Sequence, residues 1–171
     1  MERGYIHIYT GDGKGKTTAA FGVALRTLLC DKRVFVGQFV KSMAYSETNI
    51  TRWTENIEIE QFGCGCMLDR EKDEEDIKHA KQGLVRCREI FEKNEYDLII
   101  LDEIFIAIDL GLVTQEEVEK LMSYKPEYAE LILTGRNAPE ALIAKADLVT
   151  EMKCKKHYYE KGVLSRAGID C

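Results

Sequence analysis

Short apolar runs alternate with amphipathic stretches along the chain, and this pattern predicts strands that alternate with helices. Residues 98–101 are apolar without interruption, which is typical of a strand buried on both faces. Residues 73–93 carry apolar side chains at spacings of three and four, which predicts one amphipathic helix. By the same criteria the predicted strands cover 5–9, 34–40, 57–62, 98–101, 130–133 and 147–150, and the predicted helices cover 16–30, 73–93, 104–110, 114–123 and 138–145.

Alternation of this kind is typical of an α/β protein with a parallel sheet and helices on both faces. At 171 residues the chain is predicted to be a single domain over 1–171, with a polar tail after residue 150 to which no element is assigned. Ligands of such sheets bind beyond the carboxyl ends of the strands. The turns that follow the predicted strands are therefore expected to carry the ligand-binding and catalytic residues.

The charge balance excludes two classes of partner. The chain has 24 Lys and Arg against 30 Asp and Glu, a net charge of −6, and no basic tract, which argues against nucleic acid and anionic membranes. No apolar run approaches the ~20 residues of a membrane helix. The first predicted strand begins almost at once, so we expect neither a secretory signal nor an N-terminal extension, and a cytoplasmic location.

Six cysteines are present, and only Cys64 and Cys66 are close in sequence. A cytoplasmic chain keeps its thiols reduced, so free thiols are expected. A metal or redox role for the Cys64-Gly65-Cys66 segment is the alternative, although its spacing is too short for a zinc knuckle.

The strongest motif is the glycine-rich stretch TGDGKGKTT at 10–18, between a predicted strand and a predicted helix. Its glycines allow backbone N–H groups to surround an anion at the start of the helix. Lys16 is predicted to contact terminal phosphates and the Thr17 hydroxyl to bind magnesium. The residues predicted to hold the nucleotide are Gly11, Asp12, Gly13, Lys14, Gly15, Lys16, Thr17 and Thr18. A glycine-rich turn without a ligand is the alternative.

This phosphate loop is one residue shorter than the usual motif. The usual motif places four residues between its two glycines, which would require a glycine at position 10, where this chain has Thr10. Lys14 adds a second cation within the loop. The shorter loop is expected to seat a triphosphate differently from an ordinary ATPase.

A second acidic site follows the strand at 98–101. Asp102 and Glu103 come directly after it, where phosphate-loop proteins hold magnesium. Asp102 is predicted as a metal ligand with Thr17, and Glu103 as a metal ligand, a base or a ribose contact. A solvated acidic turn is the alternative.

Several segments together resemble the phosphate-loop ATP:corrinoid adenosyltransferase family. They are YTGDGKGKTTAA at 9–20, QFVK at 38–41, DLIILDEI at 97–104, LTGRNAP at 133–139, ADLVTEM at 146–152 and KH at 156–157. The resemblance covers about residues 5–169. It implies a three-layer, RecA-like P-loop fold with a mainly parallel sheet.

The resemblance also implies a transferase of cobalamin biosynthesis or salvage. Co(I) of a reduced corrinoid attacks the 5′ carbon of ATP and releases triphosphate, so ATP, magnesium and a corrinoid are expected. Lys16 and Glu103 are the predicted catalytic residues, and a reductase and a second copy of the chain are expected partners. In this family ATP is thought to lie reversed relative to other P-loop enzymes.

Three further residues have an open assignment. Arg136 follows the strand at 130–133 and is predicted to lie near the nucleotide, with a surface arginine as the alternative. Lys41 ends another strand and is predicted to contact triphosphate or a corrinoid side chain, with an exposed lysine as the alternative. His157 follows a run of lysines, and a solvated tail is as good an interpretation as a site role.

One segment departs from the family pattern. Family members often carry aromatic residues after Gly63, whereas this chain has Cys66 and Leu68 there. A cobalt-ligating role for Cys64 or Cys66 is one interpretation. Two other functions also fit the phosphate loop: a nucleotide or small-molecule kinase, and an ATP-binding corrinoid-handling protein without turnover.

Overall fold

A computed structural model describes residues 3–43, 45–64 and 72–170. Within them a sheet of six strands has the order β3-β2-β4-β5-β1-β6, and every neighbouring pair is parallel. The strands are β1 (Ile6–Thr10), β2 (Val34–Phe39), β3 (Ile57–Phe62), β4 (Leu98–Asp102), β5 (Glu130–Thr134) and β6 (Leu148–Glu151). The helices are α1 (Lys16–Leu28), α2 (Glu74–Lys93), α3 (Ile104–Asp109), α4 (Gln115–Met122) and α5 (Glu140–Ile143), with 3₁₀ helices at Ser46–Arg52 and Tyr158–Lys161.

The predicted three-layer α/β fold is confirmed, and each predicted strand lies within one or two residues of an observed one. β4 is buried at every position, which explains why its sequence does not alternate. One apolar cluster joins β4 and β5 to α2, α3 and α4, and a second joins other side chains of the same sheet to α1. None of the helices within the described residues is long and apolar enough to span a membrane.

The helix boundaries follow local hydrogen bonding. The Asp73 side chain accepts from the backbone of Asp76 at 3.0 Å, which starts α2, and Asn94 ends it in the left-handed conformation. The predicted capping box of Thr114 and Glu117 is present at α4.

Two helical segments before residue 150 differ from their predictions, and the 3₁₀ helix Tyr158–Lys161 lies in the tail to which the sequence assigned no element. The helix predicted at 138–145 covers only Glu140–Ile143, because Pro139 is extended and Ala138 gives its N–H to the Thr10 hydroxyl. The 3₁₀ helix Ser46–Arg52 was not predicted, since none of its residues is buried and it has no apolar periodicity.

The strand order brings the polar ends of several strands to one edge of the sheet. β4 lies between β2 and β5, and β1 lies between β5 and β6. The phosphate loop after β1 therefore lies on the same edge as Asp102 at the end of β4.

The space around two helix glycines predicts how each position tolerates a larger side chain. A Cβ at Gly83 of α2 would lie 2.5 Å from the Phe62 ring, whereas a Cβ at Gly22 of α1 would meet nothing within 4 Å. We expect Gly83→Ala to lower the free energy of unfolding by about 1–3 kcal/mol through overpacking. Gly22→Ala should raise it by about 0.4–1 kcal/mol, because it stiffens the unfolded chain at no steric cost. Urea denaturation measures both, and a stable Gly83→Ala variant would contradict the close packing of α2 on β3.

Candidate active site

The phosphate loop is held in shape by the chain that follows β6. Gly11 and Gly15 have φ of 102° and 120°, in the left-handed region that glycine favours. A Cβ at Gly11 would also lie 2.4 Å from the Met152 carbonyl oxygen. That oxygen accepts from the Gly13 N–H at 2.7 Å, and the Met152 N–H donates to the Thr10 carbonyl at 2.8 Å. The glycines of the loop are therefore required by the close approach of residue 152 as well as by the turn.

Lys16 lies inside the loop, as predicted for a phosphate-binding lysine. Its side-chain Nζ donates to the carbonyl oxygens of Gly11 and Gly13, both at 2.8 Å. The residue is only 7% exposed, and burial lowers the pKa of its ammonium group. The positive charge of Lys16 is thus already positioned for a phosphate group.

Asp102 is completely buried, and its carboxylate accepts four hydrogen bonds. Its Oδ1 accepts from the hydroxyls of Thr17 at 2.9 Å and Thr134 at 2.7 Å. Its Oδ2 accepts from Lys41 Nζ at 2.8 Å and Gln38 Nε2 at 3.2 Å. The structure therefore brings together Thr17, Asp102 and Lys41, which the sequence placed on three different elements.

Lys41 reaches Asp102 through a turn of unusual backbone. Val40 has φ of 63°, a conformation that β-branched residues rarely adopt. Burial opposes the charge of Lys41, but Asp102, together with Glu47 at 3.4 Å, outweighs it and raises the pKa of the ammonium group. Lys41 is therefore a half-buried, charged residue of the site and not an exposed lysine.

Glu103 also has a left-handed backbone, with φ of 58°. Its N–H donates to the Thr134 hydroxyl at 3.0 Å, so one threonine orients both acidic residues. The side chain lines the cavity beside the phosphate loop. Burial raises the pKa of the Glu103 carboxyl, and the nearby charge of Asp102 raises it further.

The cavity has a volume of about 910 Å³. The phosphate loop, Lys41 and Glu103 line one side, and Arg136 lies close enough to affect the titration of Lys16 and Glu103. Segment 157–170, which we call the C-terminal segment, lines the other side. His157 belongs to this wall, where its ring accepts from the Tyr159 N–H at 3.1 Å.

Two side chains of the loop also bond to the chain beyond β6. Asp12 Oδ1 accepts from the Cys154 N–H at 3.1 Å, and that bond lowers the pKa of the Asp12 carboxyl. Lys14 Nζ donates to the Ile169 carbonyl at 3.0 Å and to the Asp170 carboxylate. Both side chains line the cavity, but the Lys14 ammonium is bonded to the C-terminal segment. Nucleotide contacts of these two residues stay predictions.

The donor set at Asp102 fits magnesium. Mg²⁺ prefers hydroxyl and carboxylate oxygens and is usually held by one or two carboxylates together with substrate phosphates. Thr17 and Asp102 supply such oxygens side by side, and Glu103 lines the same cavity. In the part of the chain that the structure describes, no group of three or more His, Cys, Asp or Glu side chains forms a metal site of its own.

The structure describes only some of the cysteines for which the sequence made predictions. Cys30, Cys87 and Cys154 are free thiols, and burial raises the pKa of the Cys87 thiol well above its usual range. Cys66 and Leu68 lie outside the described residues.

Sequence reasoning missed three polar residues that organise the site. Thr10 is 7% exposed, and its hydroxyl accepts from the Ala138 N–H at 3.1 Å, which ties the phosphate loop to the turn that carries Arg136. Thr134 and Gln38 are fully buried and bond to Asp102. The sequence feature that could have identified these three residues is a polar side chain at or near the end of an apolar strand.

Comparisons with known proteins agree with these motifs. A family model described as ATP:corrinoid adenosyltransferase BtuR/CobO/CobP matches residues 2–171. The corrinoid adenosyltransferase of Escherichia coli strain K12 is 32% identical over 170 residues, which are 99% of this chain and 86% of the relative. One from Sinorhizobium is 33% identical over 99% of this chain and 81% of its own length. Corrinoid adenosyltransferase CobA of Salmonella typhimurium is 31% identical over 99% of this chain and 86% of its own length.

The raised pKa of Glu103 predicts a pH-dependent stability difference. A carboxyl with a raised folded-state pKa favours the folded state at low pH, and this contribution is lost as pH rises through that pKa. Glu103→Gln should therefore melt at a higher temperature than the wild type near pH 7, and the gap should close as pH falls through the raised pKa. Thermal unfolding across pH measures it, with the exposed Glu140→Gln as the control. A gap that widens toward low pH would contradict the assignment.

The bond between Thr10 and Ala138 predicts a second effect. Thr10→Val keeps the shape of the side chain but leaves the Ala138 N–H without its partner, so it should cost about 1–3 kcal/mol of stability. Thr10→Ser keeps the hydroxyl and should retain most of that stability. Urea denaturation of both variants provides the comparison, and equal losses would show that the hydroxyl is not the important group.

Proposed function

The chain belongs to the ATP:corrinoid adenosyltransferase family, and we propose that it transfers the 5′-deoxyadenosyl group of ATP to Co(I) of a corrinoid. The observation that carries the proposal is the phosphate loop, with Lys16 inside it and the Thr17–Asp102 pair beside it. This arrangement suits a bound triphosphate, and membership of the family favours its release intact.

The reaction requires no nucleophilic side chain. Co(I) supplies the electron pair that forms the cobalt–carbon bond, the bond between C5′ and its oxygen breaks, and that oxygen leaves with the triphosphate. The cobalt is formally oxidised by two electrons. The protein has to position the two substrates and stabilise the leaving charge.

The residues of the loop are suited to that second task. The backbone N–H groups at the start of α1 and the Lys16 ammonium offer positive charge where the triphosphate develops its own negative charge. Lys41 and Arg136 line the same cavity and add two more cations. Because Lys16 is already held by two loop carbonyls, little reorganisation is needed when the phosphates bind.

Magnesium, when bound, would neutralise phosphate oxygens, and Thr17 and Asp102 would hold it with Glu103 nearby. The present bond between Lys41 and Asp102 keeps the buried carboxylate paired. We propose that Glu103 orients the metal or the ribose.

The proposal also includes a partner protein, an oligomeric state and a location in the cell. Co(I) must be generated by reduction, so a reductase is a proposed partner. A homodimer is proposed because it is the commonest closed assembly. A cytoplasmic location rests on the sequence prediction alone.

The phosphorus-containing product tests the proposed function. We expect the purified protein with ATP, magnesium and a chemically reduced corrinoid to yield triphosphate and an adenosylated corrinoid. Release of ADP would instead support the kinase, and ATP binding without any product would support the corrinoid-handling protein. Lys16→Ala should abolish the reaction, because it removes the cation from the loop, and ³¹P NMR separates the products.

A further inference from the structure

The C-terminal segment lies over the phosphate loop, although the two are far apart in sequence. At its end Lys14 Nζ donates to the Ile169 carbonyl at 3.0 Å and to Asp170, 156 residues away. On the opposite side of the cavity, the Gly168 N–H donates to Ser46 Oγ at 3.2 Å. The segment thus bridges the loop and the 3₁₀ helix that begins at Ser46.

The Asp170 carboxylate is enclosed by hydrogen-bond donors and is not exposed to solvent as a surface carboxylate would be. Its side chain is 8% exposed and accepts from Lys14 Nζ and the Tyr158 hydroxyl. Arg166 donates to it from the backbone N–H at 3.2 Å and from Nε at 3.0 Å. The bonds from Lys14 and Tyr158 hold the pKa of Asp170 well below its usual range. The carboxylate is therefore charged and fully paired at neutral pH.

The two lysines of the phosphate loop have different environments. The Lys16 ammonium is bonded to two carbonyl oxygens of the loop itself. The Lys14 ammonium is bonded to Ile169 and Asp170, and the bond to Asp170 raises its pKa. Lys14 Nζ therefore has at most one N–H left for a phosphate while it bonds both groups, and its position is set by the C-terminal segment.

We propose that Lys14 and Asp170 form a latch that fastens the C-terminal segment over the phosphate loop and makes it a wall of the nucleotide site. Both are positioning residues, and the inference rests on the proposed function. Tyr158 and Arg166 hold Asp170 toward Lys14, and Tyr158, Ser165 and Ile169 of the segment line the cavity. A wall at this place excludes water from the phosphates, which strengthens their electrostatic interactions with the loop.

A charge swap distinguishes a latch from a phosphate contact. We expect Lys14→Met and Asp170→Asn each to weaken MgATP binding by roughly three- to tenfold, as the net loss of one ordinary hydrogen bond does, because solvent around Lys14 screens the ion pair. The swapped pair, Lys14→Asp with Asp170→Lys, should restore most of the affinity. Isothermal titration calorimetry measures the binding. Glu160→Gln, an exposed acid of the same segment, is the matched control and should bind as the wild type does.

Hydrogen exchange reports the latch independently of binding. The Gly168 N–H donates to Ser46 Oγ at 3.2 Å, outside the segment, so its protection depends on the position of the segment. In the full-length protein without nucleotide, Asp170→Asn should speed exchange in the C-terminal peptide, and the swapped pair should slow it again.

Two results would overturn the latch. One is an Asp170→Asn variant whose C-terminal peptide exchanges as the wild type does. The other is a loss of MgATP affinity in Lys14→Met and in the swapped pair but not in Asp170→Asn, which would make Lys14 a phosphate ligand. If binding and exchange behave as expected while the wild type forms no triphosphate, the proposed function fails and the latch stands.

Discussion

The structure of the site depends on one buried carboxylate, that of Asp102. A charge removed from water destabilises the fold unless hydrogen bonds and opposite charge compensate it. Here four groups do so: Thr17 from α1, Thr134 from β5, and Gln38 and Lys41 from β2 and the turn after it. The need to satisfy Asp102 therefore ties three adjacent strands to the start of the helix that follows the phosphate loop. The bond to Thr17 is the one that links the carboxylate directly to the phosphate loop.

The phosphate loop is also held by hydrogen bonds to the chain that follows β6. Met152 bonds to the backbone on either side of Gly11, and Asp12 bonds to Cys154. Thr10, the residue that shortens the glycine motif, holds the turn after β5 through its hydroxyl, which a glycine cannot do. The departure from the usual motif thus has a structural reason, and the Thr-Gly-Arg and Val-Thr-Glu-Met segments belong to the same site because they brace the same loop. This braced loop is the basis of the central claim, that it holds triphosphate as an intact leaving group.

Much of the architecture was predictable because burial leaves a direct trace in sequence. Uninterrupted apolar runs located the parallel strands, and the position of Asp102 after such a run located the acidic site. Other features leave no such trace. Lys14 and Asp170 meet only because β6 returns the chain to β1, and no local pattern relates residues so far apart. The role of Lys41 depends on the unusual backbone of Val40, and the shortened α5 depends on a hydrogen bond from a distant strand.

The fate of the 5′ oxygen of ATP tests the central claim most directly. In ATP labelled with ¹⁸O at the oxygen between C5′ and the α-phosphorus, attack of Co(I) on C5′ leaves the label in the released triphosphate. Mass spectrometry of the phosphorus-containing product after incubation with magnesium and a reduced corrinoid reads the result. The account predicts triphosphate that retains the full label. A label that stays on the nucleoside fragment, or appears in ADP, would mean that a phosphorus–oxygen bond breaks and would contradict it.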